Sequence, residues 1–130
     1  MSSEPARNEG RTEVSLWGDG TPTREFLYVD DAARALILAA ERYDSSEPVN
    51  IGSGTEISMK ELADVIARAT GFTGRFVWDT SQPNGQPRRK LDVTRARERL
   101  GFEATTTLAE GLEKTYAWMV KAPGAGRPQP

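Results

Sequence analysis

The sequence predicts an α/β domain: a small sheet of three to five strands with about four helices. Short strand-type runs at 13–17, 25–29, 49–51 and 75–78 alternate with segments of helical period. Two Ser/Thr-x-x-Glu boxes, at Ser58 to Glu61 and Thr107 to Glu110, each open an amphipathic run. Clusters of Gly, Pro, Asp and Asn separate the elements.

Residues 1–12 carry polar and charged side chains without periodicity and read as a disordered lead-in. The domain proper is expected over 13–121. The first strand, 13–17, sends Val14 and Leu16 to one face and Ser15 and Trp17 to the other. Gly18-Asp19-Gly20 then reads as a hairpin-like turn into a second strand over 25–29. Asp30 suits an N-cap and Asp31 the positive end of the dipole of a helix over 31–43. That helix presents two alternative apolar faces, Ala32/Leu36/Ala39/Ala40 or Ala33/Ile37/Ala40.

After the loop 44–48, a short strand is expected at 49–51, leading into Gly52-Ser53-Gly54. Ser58 caps a helix whose Leu62, Val65, Ile66 and Ala69 recur at helical spacing, with Gly71 placed to end it in the left-handed conformation. A strand over 75–78 precedes the extended loop 79–87. Thr94 caps a short helix that ends at Leu100 and stops at Gly101. The last helix carries Leu108, Leu112, Tyr116 and Met119 on one stripe, and 122–130, with three prolines and two glycines, reads as a flexible tail.

At 130 residues the chain has the length of one domain. Its 37% hydrophobic and 28% charged residues describe a soluble globular protein, and a net charge of −2 argues against a general binder of nucleic acid or membrane surface. No apolar run reaches the roughly 20 residues of a membrane span, and the polar N-terminus does not read as a secretory signal. The chain has neither cysteine nor histidine, which excludes thiol catalysis, disulfides, a Ser–His–Asp triad and the commonest metal ligand. Cysteine-free composition agrees with a cytoplasmic location.

Two regions offer binding chemistry. Arg24 stands across the Gly-Asp-Gly turn from Trp17, and an indole beside a guanidinium can seat a base or sugar carrying phosphate. The plainer reading puts Trp17 in the core and leaves Arg24 solvated. Downstream, Arg88-Arg89-Lys90 is followed by Arg95, Arg97 and Arg99, a run able to hold a diphosphate. Arg95, Arg97 and Arg99 equally describe a solvated helix face, with Asp92 and Glu98 as local partners.

The order Trp17-Gly-Asp-Gly-Thr-Pro-x-Arg24-Glu-Phe-Leu-Tyr28-Val-Asp-Asp31, then Val49-Asn50-Ile51-Gly52-Ser53-Gly54, then Ser81-Gln-Pro-Asn84-Gly-Gln-Pro-Arg-Arg89-Lys-Leu-Asp92, resembles the extended short-chain dehydrogenases of the NAD-dependent epimerase/dehydratase family. Within that family it resembles the GDP-L-fucose synthase branch. The likeness runs over roughly 14–120 and corresponds to the C-terminal, substrate-binding third of such an enzyme, without its Rossmann half. It implies a nucleoside-diphosphate sugar as ligand, with Arg24 and Arg89 as diphosphate ligands, and Trp17 and Asn84 lining the pocket. NAD(P) is implied for a full-length relative, with no cofactor held by this chain. The chain departs from the branch in places: Gln82 and Asn84 are neutral where Lys and Asp are usual, Tyr28 replaces His, and Pro87-Arg-Arg-Lys-Leu-Asp92 differs slightly from the branch's Pro-Arg-Lys-Leu-Leu-Asp. An Asn can donate as well as accept, so the resemblance supports a nucleoside-diphosphate sugar as a class rather than a GDP-fucose precursor.

The family's reactive groups do not follow. A third glycine after Gly52 and Gly54 would fall at 57, which is Ile57, so no dinucleotide fingerprint is present. Four residues after Tyr28, Tyr43 and Tyr116 stand Ala32, Glu47 and Val120, so no Tyr-x-x-x-Lys pair exists. The expectation is therefore a substrate-binding portion that is not catalytic alone. The alternative is a non-enzymatic module that joins a Rossmann-domain chain or self-associates, leaving an apolar face exposed on the isolated chain. Neither nucleic acid nor membrane is expected as a partner, because no aromatic residues interleave with the basic run.

Overall fold

The computed structural model of the chain describes residues 12–121, so the expected tail at 122–130 and nearly all of the expected lead-in lie outside the described residues. In order, the elements are β1 (Glu13–Trp17), β2 (Thr23–Glu25), α1 (Val29–Arg42), β3 (Glu56–Ser58), α2 (Met59–Thr70), β4 (Arg75–Asp79), a π-helical turn (Ala96–Leu100) and α3 (Leu108–Lys121). The α/β class is as expected, and the described residues hold four helical segments, counting the π-helical turn. The strands, however, form two separate two-stranded ladders.

β1 pairs with β4 in parallel, from Glu13 opposite Arg75 to Trp17 opposite Asp79. β2 pairs antiparallel with β3, so the hairpin expected between 13–17 and 25–29 is not formed. The reason lies in the turn. Gly18 and Gly20 take φ of 86° and 80° and lead the chain away from β1. The Gly20 and Pro22 carbonyls then accept the N–H groups of Lys60 (3.0 Å) and Met59 (2.9 Å). The turn thus satisfies N–H groups at the start of α2, donors that a helix leaves without intrahelical partners.

Residues 49–51 are irregular rather than a strand; Val49 and Ile51 pack against the core instead. That core centres on Ala35, Ala96, Leu100 and Phe102. Because α1 is apolar around much of its circumference, sequence pattern could not choose its inner face. The side turned inward is Asp31, Ala35, Leu38 and Ala39, so of the expected faces Ala39 packs on the core while Leu36 and Ile37 remain 68% and 59% exposed. The helix also begins earlier than expected. Tyr28 is its N-cap without a side-chain bond, so Asp30 does not cap it.

Both Ser/Thr boxes form. Ser58 Oγ accepts the Glu61 N–H at 3.1 Å, and Gly71 ends α2 at φ 74°. Thr107 and Glu110 bond reciprocally, Thr107 Oγ1 accepting the Glu110 N–H and Glu110 Oε1 accepting the Thr107 N–H. Ser58→Ala is expected to cost about 1 kcal/mol, read as a lower urea midpoint at unchanged m-value.

Candidate functional site

Three segments meet at one edge of the fold: the 18–22 turn, β2 with the start of β3, and the loop after β4. An isolated parallel bridge joins Thr23 to Arg88. Its bonds run from the Thr23 N–H to the Pro87 carbonyl (2.9 Å) and from the Arg89 N–H to the Thr23 carbonyl (3.2 Å). Paired residues of a bridge share a side, and successive residues alternate. Thr23 and Arg88 therefore lie on one side, Arg24 and Arg89 together on the other. Two cations 65 residues apart in sequence are neighbours in the fold.

Their surroundings differ. On the Thr23 side, the Glu56 carboxylate accepts the Thr23 hydroxyl (2.8 Å), Arg88 Nε (2.9 Å) and Arg88 Nη2 (2.6 Å). Hydrogen bonds from Arg88 and then Thr23 hold the Glu56 carboxyl below its ordinary range, and the same pairing pushes Arg88 up. On the reverse side, Arg24 Nη1 donates to the Thr23 carbonyl at 2.7 Å. Among the described residues neither Arg24 nor Arg89 has a carboxylate within ion-pair distance. Among the described residues Arg24 and Arg89 thus keep their positive charge without a carboxylate partner, whereas Arg88 is paired with Glu56.

Asn84 brings the loop to the turn. Its Oδ1 accepts the Asp19 N–H at 2.8 Å, and a Cβ added to Gly18 would meet that oxygen at 2.1 Å. The Asn84 oxygen is therefore committed to the turn, which leaves its NH2 group as the donor. A Cβ on the next residue, Gly85, would lie 3.6 Å from Arg24 Nη2, so this loop tip borders the arginine. Trp17 is 61% exposed, which excludes the core role, while Leu16 is buried.

Trp17 and Asn84 also line an open, mainly apolar cavity of about 1110 Å³, with Tyr28, Phe76, Trp78 and Trp118 in its wall. Arg24 and Arg89 are not among its lining residues. Of the four residues singled out in the sequence, Trp17 and Asn84 therefore line the cavity, and Arg24 and Arg89, without carboxylate partners among the described residues, lie outside its lining.

Arg95, Arg97 and Arg99 are exposed, the solvated helix face the sequence offered. Arg95 forms its ion pair with Glu47 (3.5 Å) and donates to the Pro48 carbonyl, while Arg97 and Arg95 also act on Asp92 through their charge. Asp92 Oδ1 instead accepts the Thr94 N–H at 3.0 Å. Gly52-Ser53-Gly54 does not fit a dinucleotide pyrophosphate. Glu25 Oε2 already takes the Gly54 N–H at 2.7 Å, and a Cβ on Gly52 would come within 2.5 Å of Glu25 Oε1. A carboxylate fills the position where a phosphate would have to sit. Glu25 and Glu56 were not singled out in the sequence. No local pattern marks them, because their partners lie 29 to 66 residues away.

The model of the NAD dependent epimerase/dehydratase family matches residues 4–52. GDP-L-fucose synthase 1 of Arabidopsis thaliana is 42% identical over 116 residues, covering 89% of this chain and 36% of the relative. A GDP-L-fucose synthetase from Naegleria fowleri, solved bound to NADP, superposes with a TM-score of 0.86 at 30% identity, over 96% of this chain and 39% of that one. The UDP-glucose 4-epimerase of Thermotoga maritima, solved with UDP-glucose, gives a TM-score of 0.78 at 34% identity, over 89% and 37%. The chain spans about a third of the length of the curated relatives it matches.

Proposed function

Because the chain belongs to the NAD-dependent epimerase/dehydratase family of extended short-chain dehydrogenases, we propose that it is the nucleotide-sugar-binding part of an NAD(P)-dependent epimerase, dehydratase or reductase. The observation that supports the reading is the pairing of Thr23 with Arg88, which makes Arg24 and Arg89 neighbours that have no carboxylate partner among the described residues. In this reading the two guanidinium groups hold the diphosphate, Trp17 covers the base or sugar, and the Asn84 amide donates to a ligand oxygen. Each charge-assisted contact contributes about 1.5–3 kcal/mol.

The chain carries no Tyr-x-x-x-Lys pair, histidine or cysteine. Its own residues are accordingly assigned to binding and orienting, not to proton or hydride transfer, and NAD(P) is assigned no contact at Gly52–Gly54. A cytoplasmic site of action belongs to the same proposal. No helix among the described residues is long and apolar enough to cross a membrane. Isothermal titration against GDP- and UDP-sugars tests the reading. It predicts saturable binding of at least one, and no heat at millimolar ligand would overturn it.

Exposed apolar side chains favour a second reading, a module that docks on a Rossmann-domain chain or on its own copy. Val29, Leu36 and Ile37 on α1 are 67%, 68% and 59% exposed, and Trp118 on α3 is 59% exposed. Three such residues at i, i+7 and i+8 make a continuous apolar stripe on one helix. Sedimentation velocity distinguishes it: concentration-dependent association is expected, and a monomer at every concentration would count against self-association.

A further inference from the structure

We infer that Glu56 is the positioning residue of the anion site: it fixes Arg89 beside Arg24 and withdraws Arg88 from it. The inference rests on the nucleotide-binding reading above. The loop carrying Arg88 and Arg89 is attached to β2 by an isolated bridge and a long bond from the Leu91 N–H to Glu25 Oε1 (3.4 Å), a weak tether compared with a ladder. Glu56 braces that bridge from its other side. Its carboxylate takes the side chains of both bridged residues, Thr23 at 2.8 Å and Arg88 at 2.6 and 2.9 Å, while β3 is itself paired to β2. Holding Thr23 and Arg88 on one side obliges their successors, Arg24 and Arg89, to face the other.

Three adjacent cations at 88–90 would otherwise compete for one anion. Glu56 resolves this by forming a bidentate fork with Arg88, the geometry that suits a planar guanidinium. Lys90 acts on Glu56 through its charge, and Arg89, with no carboxylate partner among the described residues, stands beside Arg24 for a ligand.

The sign of the effect separates positioning from simple electrostatics. Removing a carboxylate near a bound diphosphate relieves repulsion and, by charge alone, tightens anion binding. If Glu56 positions the arginines, its removal weakens binding instead. The experiment measures GDP and inorganic pyrophosphate affinity by calorimetry for the wild-type chain, Glu56→Ala, Glu56→Gln and Arg88→Met, with amide hydrogen exchange on each. Glu56→Ala is expected to lower affinity for both probes about tenfold or more. It also speeds exchange of the Arg89 amide while leaving the amides of α3 unchanged, which controls for global unfolding. Glu56→Gln keeps an acceptor for Thr23 and recovers part of the loss; Arg88→Met reproduces the faster exchange.

Unchanged or tighter binding in Glu56→Ala would overturn the inference, and so would unchanged exchange at Arg89. No binding of either probe by the wild-type chain, with the exchange effect present, would instead sink the nucleotide-binding reading and leave Glu56 a loop clamp with no role toward an anion.

Discussion

Asp31→Ala is expected to lower the stability of the chain by about 2–3 kcal/mol, measured as a fall in the urea midpoint. Asp31 is 3% exposed at the start of α1. Its carboxylate accepts the Thr105 hydroxyl (3.1 Å), the Thr106 N–H (3.0 Å) and Arg34 Nη2 (3.4 Å), tying α1 to the segment that leads into α3. Truncation would strand the half-buried Thr106 N–H and empty the buried site of the Asp31 carboxylate, and the loss of such a set of bonds costs about 1–3 kcal/mol. Asp31→Asn keeps one acceptor and should lose less. Burial alone would push the Asp31 carboxyl up, yet the bonds from Thr106, Thr105 and Arg34 outweigh it, and the net direction is down from 3.8. A depressed carboxyl stabilises the fold fully above its unfolded value and loses that contribution as pH falls through the folded one. The stability difference between wild type and Asp31→Asn should therefore be constant at neutral pH and shrink below about pH 4.

The second large effect is on binding. Arg24→Ala and Arg89→Ala are each expected to weaken GDP affinity about 10- to 100-fold, the equivalent of one charge-assisted contact of about 1.5–3 kcal/mol. Both side chains are assigned to one diphosphate, so the double variant should lose less than the sum, with coupling of about 0.5 kcal/mol or more in the mutant cycle. Arg97→Ala and Arg99→Ala, on the π-helical turn, should leave affinity within about twofold, because screening makes distant surface charges weak contributors. Strictly additive losses would place the two arginines on independent sites.

How much of this was readable beforehand follows from the range of each signal. The two Ser/Thr boxes and Gly71 act within four residues of chain, and all three behave as their patterns require. The hairpin failed because strand pairing is not local. The 18–22 turn resembled a hairpin loop, but its carbonyls bond to α2 and β2 finds its partner in β3. Asp30 and Asp31 were ambiguous for a chemical reason: an N-cap and a buried acceptor for a distant loop call for the same side chain. The inner face of α1 was open because Ala35 and Leu36 are equally apolar on paper, and only packing against Ala96, Leu100 and Phe102 selects between them. Arg24 and Arg89 were identified through family resemblance. The carboxylate that separates Arg89 from Arg88 could not be, since Glu56 gains its meaning only from the register of β2 and β3.

The central claim concerns which guanidinium groups meet an anion, and nitrogen-15 NMR of the arginine Nε–Hε groups during a pyrophosphate titration reads it directly. The account predicts that the Arg24 and Arg89 signals move together along one saturable curve while the Arg88 signal, held by Glu56, stays in place. Movement of Arg88 in their stead, or of Arg24 and Arg89 with separate affinities, would contradict it.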